Sequence, residues 1–435
     1  MRRDFIKLCS LAGLAVAAPV GRTIFASPSS KEPDPCDGPY YAVFNASGGW
    51  DTTYLMDPKG VNDINRLYQQ GDILTHGAIK FAPNAKAIGK KADRMSNEDF
   101  FRRYGPELLV FNGLDYSVNN HAPCSRYMAT GHLDSLAYPT FAALVAACRG
   151  ATCPLAFLTF GNYSNTGNIV PMARVPYLPT LARIANADCV EGNAQSPYHD
   201  DFALDRIEAA LKAETDSRLA GSTGSLLPRV ERAQSVLYAA QVNSKALQRV
   251  TPFIAAKQPK ERLQQQAEIA LASFKAGICV SANLSIGQFD SHANNDRDQM
   301  DLLPELLAGI DYLLRRAEAL KIRDRIVVVM QSEMGRTPSY NKGEGKDHWS
   351  IGSAMFLGPG LKGNRVIGAT DDGQFLRPID PATLALTDDK TKALRVRPEH
   401  LHTALRDLAG ITDHAFSKQY PFTIKEAEKL RNFWG

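Results

Sequence analysis

The sequence lacks several features that would place it in other classes of protein. Its 50 basic and 46 acidic residues leave a net charge of only +4, and no basic run carries interleaved aromatic side chains, so nucleic acid is not a predicted partner. It has no C-x-x-C pair, which argues against a thiolate zinc site. The composition is that of an ordinary globular protein, and 435 residues suffice for one or two α/β domains.

A hydrophobic run long enough to cross a membrane is also missing at the N-terminus. Arg2 and Arg3 precede the apolar residues 8–19, and small residues continue to Ala26. The apolar stretch is too short for a comfortable membrane span. Paired arginines before a short apolar core are typical of a twin-arginine export signal. We expect residues 1–26 to be this signal peptide and 27–38 a flexible lead. The remaining domain, 39–435, is then periplasmic or secreted, and the twin-arginine export machinery is a partner.

Cysteine usage fits an exported protein. Six of the seven cysteines lie beyond the predicted signal, and an even number can form disulfides in an oxidising compartment. Cys148 and Cys153 are close in sequence and are the predicted pair. Buried free thiols are the alternative.

Strand-like and helical patterns alternate along the chain. Apolar, β-forming runs occupy residues 40–45, 277–284 and 326–330, and an amphipathic helical pattern covers 301–320 between the last two. This order predicts α/β architecture, with a doubly wound, mostly parallel sheet sandwiched by helices. Residues 199–277 have helical spacing and are rich in Ala, Leu, Gln, Glu and Arg, so we predict a helical insertion there.

Carboxylates and imidazoles follow the ends of the predicted strands. They are Asp51, Asp290, His292, Glu333, Asp347 and His348. Residues just past the carboxyl ends of neighbouring parallel strands converge on one crevice. Carboxylates gathered in such a crevice are costly unless a cation joins them. We therefore predict a metal site for one or two divalent ions. The mixed oxygen and nitrogen ligands favour Zn²⁺ or Mn²⁺, with Ca²⁺ and Mg²⁺ as alternatives.

Two arginines and a further histidine accompany these residues. A loop ends at His121 and a helix begins near Pro123, because proline is favoured in a first helical turn. The backbone amides at the start of this helix, together with Arg126, would form an anion-binding site. The alternative is that His121 caps the helix and Arg126 is solvated. Arg336 could bind an oxyanion or pair with Glu333.

The order of these motifs resembles a family of exported bacterial proteins known as domain of unknown function 1501, within the alkaline phosphatase and sulfatase superfamily. The resemblance extends from about Tyr40 to the C-terminus. Its motifs are G-G-x-D at 48–51, H-x5-Y-M-x-T-G at 121–131, F-D-x-H at 289–292, S-E-x-G-R-T at 332–337 and D-H at 347–348. The resemblance implies a sulfatase-like α/β sandwich with one or two divalent metals above the strand ends.

One motif departs from the sulfatase pattern. Sulfatases carry Cys/Ser-x-Pro-x-Arg before a Thr-Gly, and the first residue of that motif is their nucleophile. Counting back from Thr130 places His121 at the nucleophile position, and Cys124 falls three residues late. The resemblance therefore leaves three alternatives: His121 is a metal ligand or an unusual nucleophile, Cys124 or Ser125 attacks, or no covalent intermediate forms. We favour His121 as a ligand, with a metal-bound water attacking.

These patterns predict a metal site in an exported protein, and the resemblance implies a metal-dependent hydrolase of sulfate or phosphate esters that acts on a small anionic ester. A non-catalytic exported protein of the same fold, which binds a metal or a partner, is the alternative. The predicted catalytic residues are His121, Arg126 and Arg336. The predicted metal ligands are Asp51, His121, Asp290, His292, Glu333, Asp347 and His348.

Replacing Arg2 and Arg3 together by lysine is expected to retain the protein in the cytoplasm, because the arginine pair is the feature that the export machinery reads. Cell fractionation followed by immunoblotting measures this. Normal accumulation of the double variant in the periplasm would overturn the export prediction.

Overall fold

The computed structural model describes most of the chain beyond the predicted signal. The described residues are 36–61, 63–88, 93–151, 153–161, 164–175, 183, 185–186, 188–193, 195–221 and 247–435. The predicted signal peptide, most of the predicted lead and residues 222–246 of the predicted helical insertion lie outside them.

The strands form one large sheet and three small ones. They are β1 Tyr40–Ala46, β2 Leu74–His76, β3 Ile79–Phe81, β4 Leu109–Asp115, β5 Phe157–Thr159, β6 Met172–Ala173, β7 Ser281–Ile286, β8 Ile326–Ser332, β9 Gly335–Arg336, β10 His348–Trp349, β11 Ile351–Leu357, β12 Arg365–Ile367, β13 Ala369–Thr370 and β14 Leu376–Arg377. Eight of them make the central sheet, in the order β12-β4-β11-β8-β1-β7-β5-β6.

The helices connect and cover these strands. They are α1 Ala85–Ile88, α2 Asn97–Tyr104, α3 His121–Thr130, α4 Phe141–Arg149, α5 Asp201–Gly221, α6 Arg262–Lys275, α7 Asn295–Ala319, α8 Pro398–Leu408 and α9 Ala415–Lys418. None of the described helices is long and apolar enough to cross a bilayer.

The central sheet is parallel except for one strand. β1 pairs in parallel with β7 on one side and β8 on the other. β11 alone runs antiparallel, between β4 and β8. Strands buried on both faces read as nearly continuous apolar runs, which is why 326–330 was recognisable in the sequence.

Alternate residues of β1 enter two separate cores. Tyr40, Ala42 and Phe44 pack into the cluster that contains α6 and α7, whereas Tyr41 and Val43 pack into the cluster that contains α4 and α8. This alternation follows from the two-residue repeat of a strand. Helices therefore cover both faces, and the predicted doubly wound, mostly parallel α/β sandwich is confirmed.

Helix α7 begins earlier than its sequence pattern predicts. It starts at Asn295 instead of residue 301, and Pro304 lies inside it. Its apolar face is buried from Leu303 to Ala317. Packing against the sheet outweighs the cost of a proline inside a helix.

His402 of helix α8 is buried in the core and carries a hydrogen bond to the backbone. His402 is 3 % exposed, and its Nε2 lies 2.8 Å from the Met128 carbonyl oxygen, so the ring is a neutral donor. Burial lowers the pKa of His402 to about 4, assisted by the charge of Arg406 and opposed by the Met128 hydrogen bond. A charged ring is therefore disfavoured in the folded protein.

We expect His402 to make the protein less stable in acid. Between pH 6.5 and about 4 this histidine binds a proton in the unfolded chain but not in the folded protein. The free energy of unfolding therefore decreases as the pH falls, by about 3 kcal/mol at most from this group. Urea unfolding of wild type and His402→Gln at pH 7, 6, 5 and 4 measures it, since glutamine can donate to Met128 without titrating. Identical pH slopes in the two proteins would contradict the assignment.

Candidate metal centre

Three neighbouring strands end at the same level and deliver the loops of the site. Ala46 of β1 lies opposite Ile286 of β7 and Ser332 of β8. Asp290, His292 and Glu333 follow these strand ends directly. The convergence expected from a parallel sheet is therefore present for these residues.

A Gly-Gly turn after β1 lets the loops approach each other closely. Gly48 has a φ of +120°, and a Cβ at that position would lie 2.4 Å from the Asp290 backbone nitrogen. The Gly48 N–H donates to Glu333 Oε1 at 2.7 Å. Glycine is required here because only its backbone adopts this conformation readily and leaves the space.

Three imidazoles point their Nε2 atoms at one carboxylate. His121 Nε2 lies 3.2 Å from Asp290 Oδ2. His292 Nε2 and His348 Nε2 lie 3.1 and 3.3 Å from Asp290 Oδ1. The Nε2 atoms of His292 and His348 are 3.0 Å apart. Residues far apart in sequence thus form one compact cluster.

The other ring nitrogen of each imidazole faces a hydrogen-bond acceptor. His121 Nδ1 lies 3.1 Å from Glu333 Oε1, His292 Nδ1 lies 2.8 Å from Asp347 Oδ1, and His348 Nδ1 lies 2.9 Å from the Asn119 carbonyl oxygen. An acceptor at Nδ1 requires that Nδ1 carry the proton, so each neutral ring keeps a lone pair on Nε2. Metal-binding histidines are held in this way by carboxylates and carbonyl groups behind them.

The arrangement fits a divalent cation. Two Nε2 lone pairs at 3.0 Å repel each other unless a proton or a cation lies near both. His121 Nε2 is buried and has no hydrogen-bond partner among the described residues. The ligand atoms of His121, Asp290 and His348 lie within 4.8 Å of one another. Imidazole nitrogens with one carboxylate suit Zn²⁺ better than Ca²⁺, which takes oxygen ligands.

The charges around the cluster shift two pKa values. The hydrogen bond to Glu333 raises the pKa of His121; burial opposes this, and the negative charge of Asp290 adds to it. Burial raises the pKa of Asp290, but the hydrogen bond and charge of Arg336, with His121 and His292, outweigh burial and leave that pKa below its usual range. Asp290 is therefore held ionised.

Arg336 is buried, and its guanidinium joins several loops of the site, so it is not exposed to a substrate. Its side chain is fully buried. It donates to the carbonyl oxygens of Gly49 at 2.9 Å and Lys346 at 3.1 Å, to that of Gly48, and to Asp290 Oδ1 at 2.8 Å. Of the two predicted roles, ion pairing is the one observed, but with Asp290 as the partner.

Asp51 is not brought to the imidazoles. Its carboxylate is fully buried, and Oδ2 accepts from Lys346 Nζ at 2.7 Å and Asn295 Nδ2 at 3.0 Å. Oδ1 accepts from the Thr53 backbone and hydroxyl groups, so Asp51 caps a short helical turn. The sequence predicted Asp51 as a ligand, whereas in the structure its carboxylate faces Lys346, Asn295 and Thr53 and not the imidazoles.

Two other predicted ligands stand behind histidines. Glu333 and Asp347 contact the Nδ1 atoms of His121 and His292, on the opposite ring edges from Asp290. Hydrogen bonds from His292 and Asn341 lower the pKa of Asp347. Both carboxylates therefore face the imidazoles at Nδ1, away from Asp290, whereas the sequence predicted them as ligands.

Two candidates on helix α3 point elsewhere. Arg126 donates from Nε to the Leu133 carbonyl oxygen at 2.6 Å, beyond the far end of the helix from His121. Cys124 is fully buried, its thiol donates to the Val118 carbonyl oxygen, and burial raises its pKa to about 11. A thiol in this state is a poor nucleophile.

Sequence reasoning missed two participants. The Asn119 carbonyl group orients His348, and a backbone carbonyl has no signature in the sequence. Lys346 is fully buried against Asp51, although it lies in a Gly- and Lys-rich loop that is typical of a solvated surface. The adjacent Asp347-His348 pair was the only available signal that this loop enters the site.

The sheet and the imidazole cluster define the chain as an α/β protein with a histidine-rich centre above its strand ends. Residues 211–420 match the model of the family described as "Protein of unknown function (DUF1501)". This match confirms the resemblance over the segment that carries the F-D-x-H, S-E-x-G-R-T and D-H motifs.

Several solved structures are similar to the chain at low sequence identity. The alignment with Ps i-CgsB covers 91 % of this chain and 75 % of that protein, at 10 % identity and a TM-score of 0.41. The alignment with a putative sulfatase from Bacteroides thetaiotaomicron covers 87 % of this chain and 72 % of that protein, at 11 % identity and a TM-score of 0.31. The alignment with the phosphonate monoester hydrolase SpPMH from Silicibacter pomeroyi covers 85 % of this chain and 72 % of that protein, at 10 % identity and a TM-score of 0.29. No curated protein matches the chain.

Replacing Arg336 by methionine is expected to lower the free energy of unfolding by roughly 3–5 kcal/mol, because it leaves backbone carbonyl groups unpaired in a buried site. Urea denaturation monitored by circular dichroism measures the change. Arg126→Met is the matched control, since Arg126 is only partly buried and makes one backbone contact. Equal decreases in the free energy of unfolding of the two variants would contradict the role of Arg336 in holding these loops together.

Proposed function

We propose that the chain is an exported, metal-dependent hydrolase of sulfate or phosphate esters. The proposed ligands of the divalent cation are His121, His292, His348 and Asp290. The observation that carries the proposal is that each imidazole has an acceptor behind Nδ1 while the Nε2 atoms converge on Asp290. Oriented lone pairs around one carboxylate are the arrangement that a metal-dependent enzyme needs.

The charge of this ligand set suits an anionic substrate. Three neutral imidazoles and one carboxylate offset only one of the two charges of a divalent cation. The remaining positive charge favours a sulfate or phosphate ester at the site. When bound, such a cation supplies Lewis acidity and a water of lowered pKa, which is the chemistry that ester hydrolysis requires.

The residues of the chain prepare this site in separate ways. Arg336 keeps Asp290 ionised and fixed to the turn after β1. Glu333 and Asp347 face Nδ1 of His121 and His292, so in the neutral ring the proton is placed on Nδ1 and Nε2 is the nitrogen available to a cation. The partial exposure of His292 and Asp290, 46 % and 43 %, leaves the cluster open to a ligand from solvent.

A non-catalytic metal-binding protein of the same fold is the second candidate. One observation favours it: in the described part of the chain, neither predicted oxyanion-binding arginine has its guanidinium open to a substrate at the cluster. Arg336 is enclosed by carbonyl groups, and Arg126 bonds Leu133. An enzyme without such a group must rely on its cation to balance the charge of the transition state.

We expect His292→Ala to bind Zn²⁺ more weakly than wild type. Loss of a residue that only hydrogen-bonds to a metal ligand lowers metal affinity roughly 10–100-fold, and loss of a ligand itself should lower it further. Thermal stability should decrease with it, because a bound metal adds to the free energy of folding. Metal analysis, zinc titration and thermal unfolding measure this. His199→Ala is the matched control, since His199 has a similar exposure and an aspartate partner, Asp188, outside the cluster. Unchanged metal binding in His292→Ala would remove His292 from the site.

Hydrolysis of aryl sulfates and aryl phosphates by the full-length protein separates the two candidates. The enzyme proposal expects turnover of at least one ester, its loss after dialysis against a chelator, and its return with added Zn²⁺ or Mn²⁺. Stoichiometric metal without turnover of any ester would favour the binding protein. Wild-type protein that retains no divalent metal would overturn both candidates.

A further inference from the structure

A second group of reactive side chains lies at the opposite ends of the strands. β1 and β5 are both neighbours of β7, and they run parallel to it. Tyr41 and Phe157 both pair with Ser281. The segments that lead into these strands therefore lie side by side, and they contain Cys36 before β1 and Cys153 before β5. The segment that enters β7 runs between them.

Both cysteines contact the same carbonyl group in the middle segment. The Cys36 N–H donates to the Gly277 oxygen at 2.9 Å. The Cys153 Sγ lies 3.8 Å from the same oxygen. Each thiol is the largest influence on the pKa of the other, which places the two side chains close together. All six described cysteines are free thiols, but these two cysteines share one carbonyl group.

The backbone around each cysteine is fixed. The Tyr40 hydroxyl donates to the Cys36 carbonyl oxygen at 2.8 Å, and the Tyr40 ring stacks on Phe274 at 4.9 Å. The Cys153 N–H donates to the Gly150 oxygen, and Leu155 donates to Ile278, each at 2.9 Å. A disulfide requires close and correctly directed cysteines, and these contacts hold the pair together without one.

We propose that Cys36 and Cys153 form a disulfide when the folded protein meets a disulfide oxidant such as oxidised glutathione. The bond joins the segment before the central strand to the loop after α4. This site is independent of the candidate metal centre. The pairing also replaces the predicted Cys148–Cys153 pair, because Cys148 Sγ contacts the Ser417 hydroxyl at 4.0 Å.

Cys36 is the attacking thiol. The hydrogen bond from Cys153 lowers its pKa to about 6 against the opposing effect of burial, and the same contact raises the pKa of Cys153. Cys36 is also the more exposed of the two. Low pKa and access are the properties of a reactive thiol.

The exchange balances in two steps. The Cys36 thiolate attacks one sulfur of oxidised glutathione, forms a mixed disulfide and releases one glutathione thiolate. The Cys153 sulfur, after losing its proton, attacks the Cys36 sulfur and releases the second glutathione. The two protein thiols are oxidised, glutathione disulfide is reduced, and the two protons end on the two glutathione thiols.

The remaining thiols provide internal controls. Cys279 lies near the pair but is fully buried, and its Sγ is directed at the Ser281 and Ala156 carbonyl oxygens. Cys124, on helix α3, donates to the Val118 carbonyl oxygen in the preceding loop. Neither contact brings a second sulfur to these thiols.

Tryptic mapping tests the pairing, because trypsin places each of the six cysteines in a different peptide. Cys36 falls in 32–59, Cys148 in 127–149 and Cys153 in 150–174. Folded full-length protein is treated with oxidised glutathione, quenched with acid, alkylated and digested without reductant. We expect the free-thiol count to fall by two and peptides 32–59 and 150–174 to appear as one species that lacks two hydrogens.

Serine variants complete the test. Cys36→Ser should abolish the linked species and leave Cys153 alkylated or joined to glutathione, whereas Cys148→Ser should form the link as wild type does. The proposal is overturned by an unchanged thiol count in wild type, by a link between 127–149 and 150–174, or by a link between Cys153 and the Cys279 peptide 276–297.

Discussion

The buried guanidinium of Arg336 is the contact on which the candidate centre depends. It binds carbonyl oxygens of the turn after β1 and of the loop before β10, and it holds the Asp290 carboxylate that follows β7. Three loops that belong to different strands are thereby fixed to one planar group. Arginine suits this position because its several donors have a rigid, fixed geometry, which a lysine lacks.

Positive charge is distributed unevenly around the acidic residues. Asp51 has its own ammonium in Lys346, and Asp290 shares Arg336 with backbone oxygens. Glu333 and Asp347 instead face imidazoles. The acidic side chains of this region therefore fall into two sets: one neutralised permanently by a basic residue, and one that sets which nitrogen of a histidine carries the proton.

The sequence was sufficient for the fold class and for the convergence of several predicted residues at one edge of the sheet. Apolar runs located β1, β7 and β8, and the parallel order implied that the residues after them meet, as Asp290, His292 and Glu333 do around His121. The role of each side chain was less accessible. Asp51 follows a strand as Asp290 does, yet it binds Lys346, because the direction of a side chain depends on turn geometry and on partners in other loops. The predicted Cys148–Cys153 disulfide is likewise not observed: the described cysteines are free thiols, and Cys148 Sγ contacts Ser417. Closeness in sequence does not show which way a side chain points.

The position of β1 in the middle of the sheet has a consequence for how the chain acquires its structure. The Asn45 side chain bonds Leu284, 239 residues later, and Gln331, 286 residues later. During synthesis the first strand therefore has no neighbour on either edge until most of the chain has left the ribosome. Contacts of such long range close slowly, and an apolar strand with unpaired edges attracts other chains. Synthesis of this protein thus includes a long interval in which its central strand needs protection from aggregation.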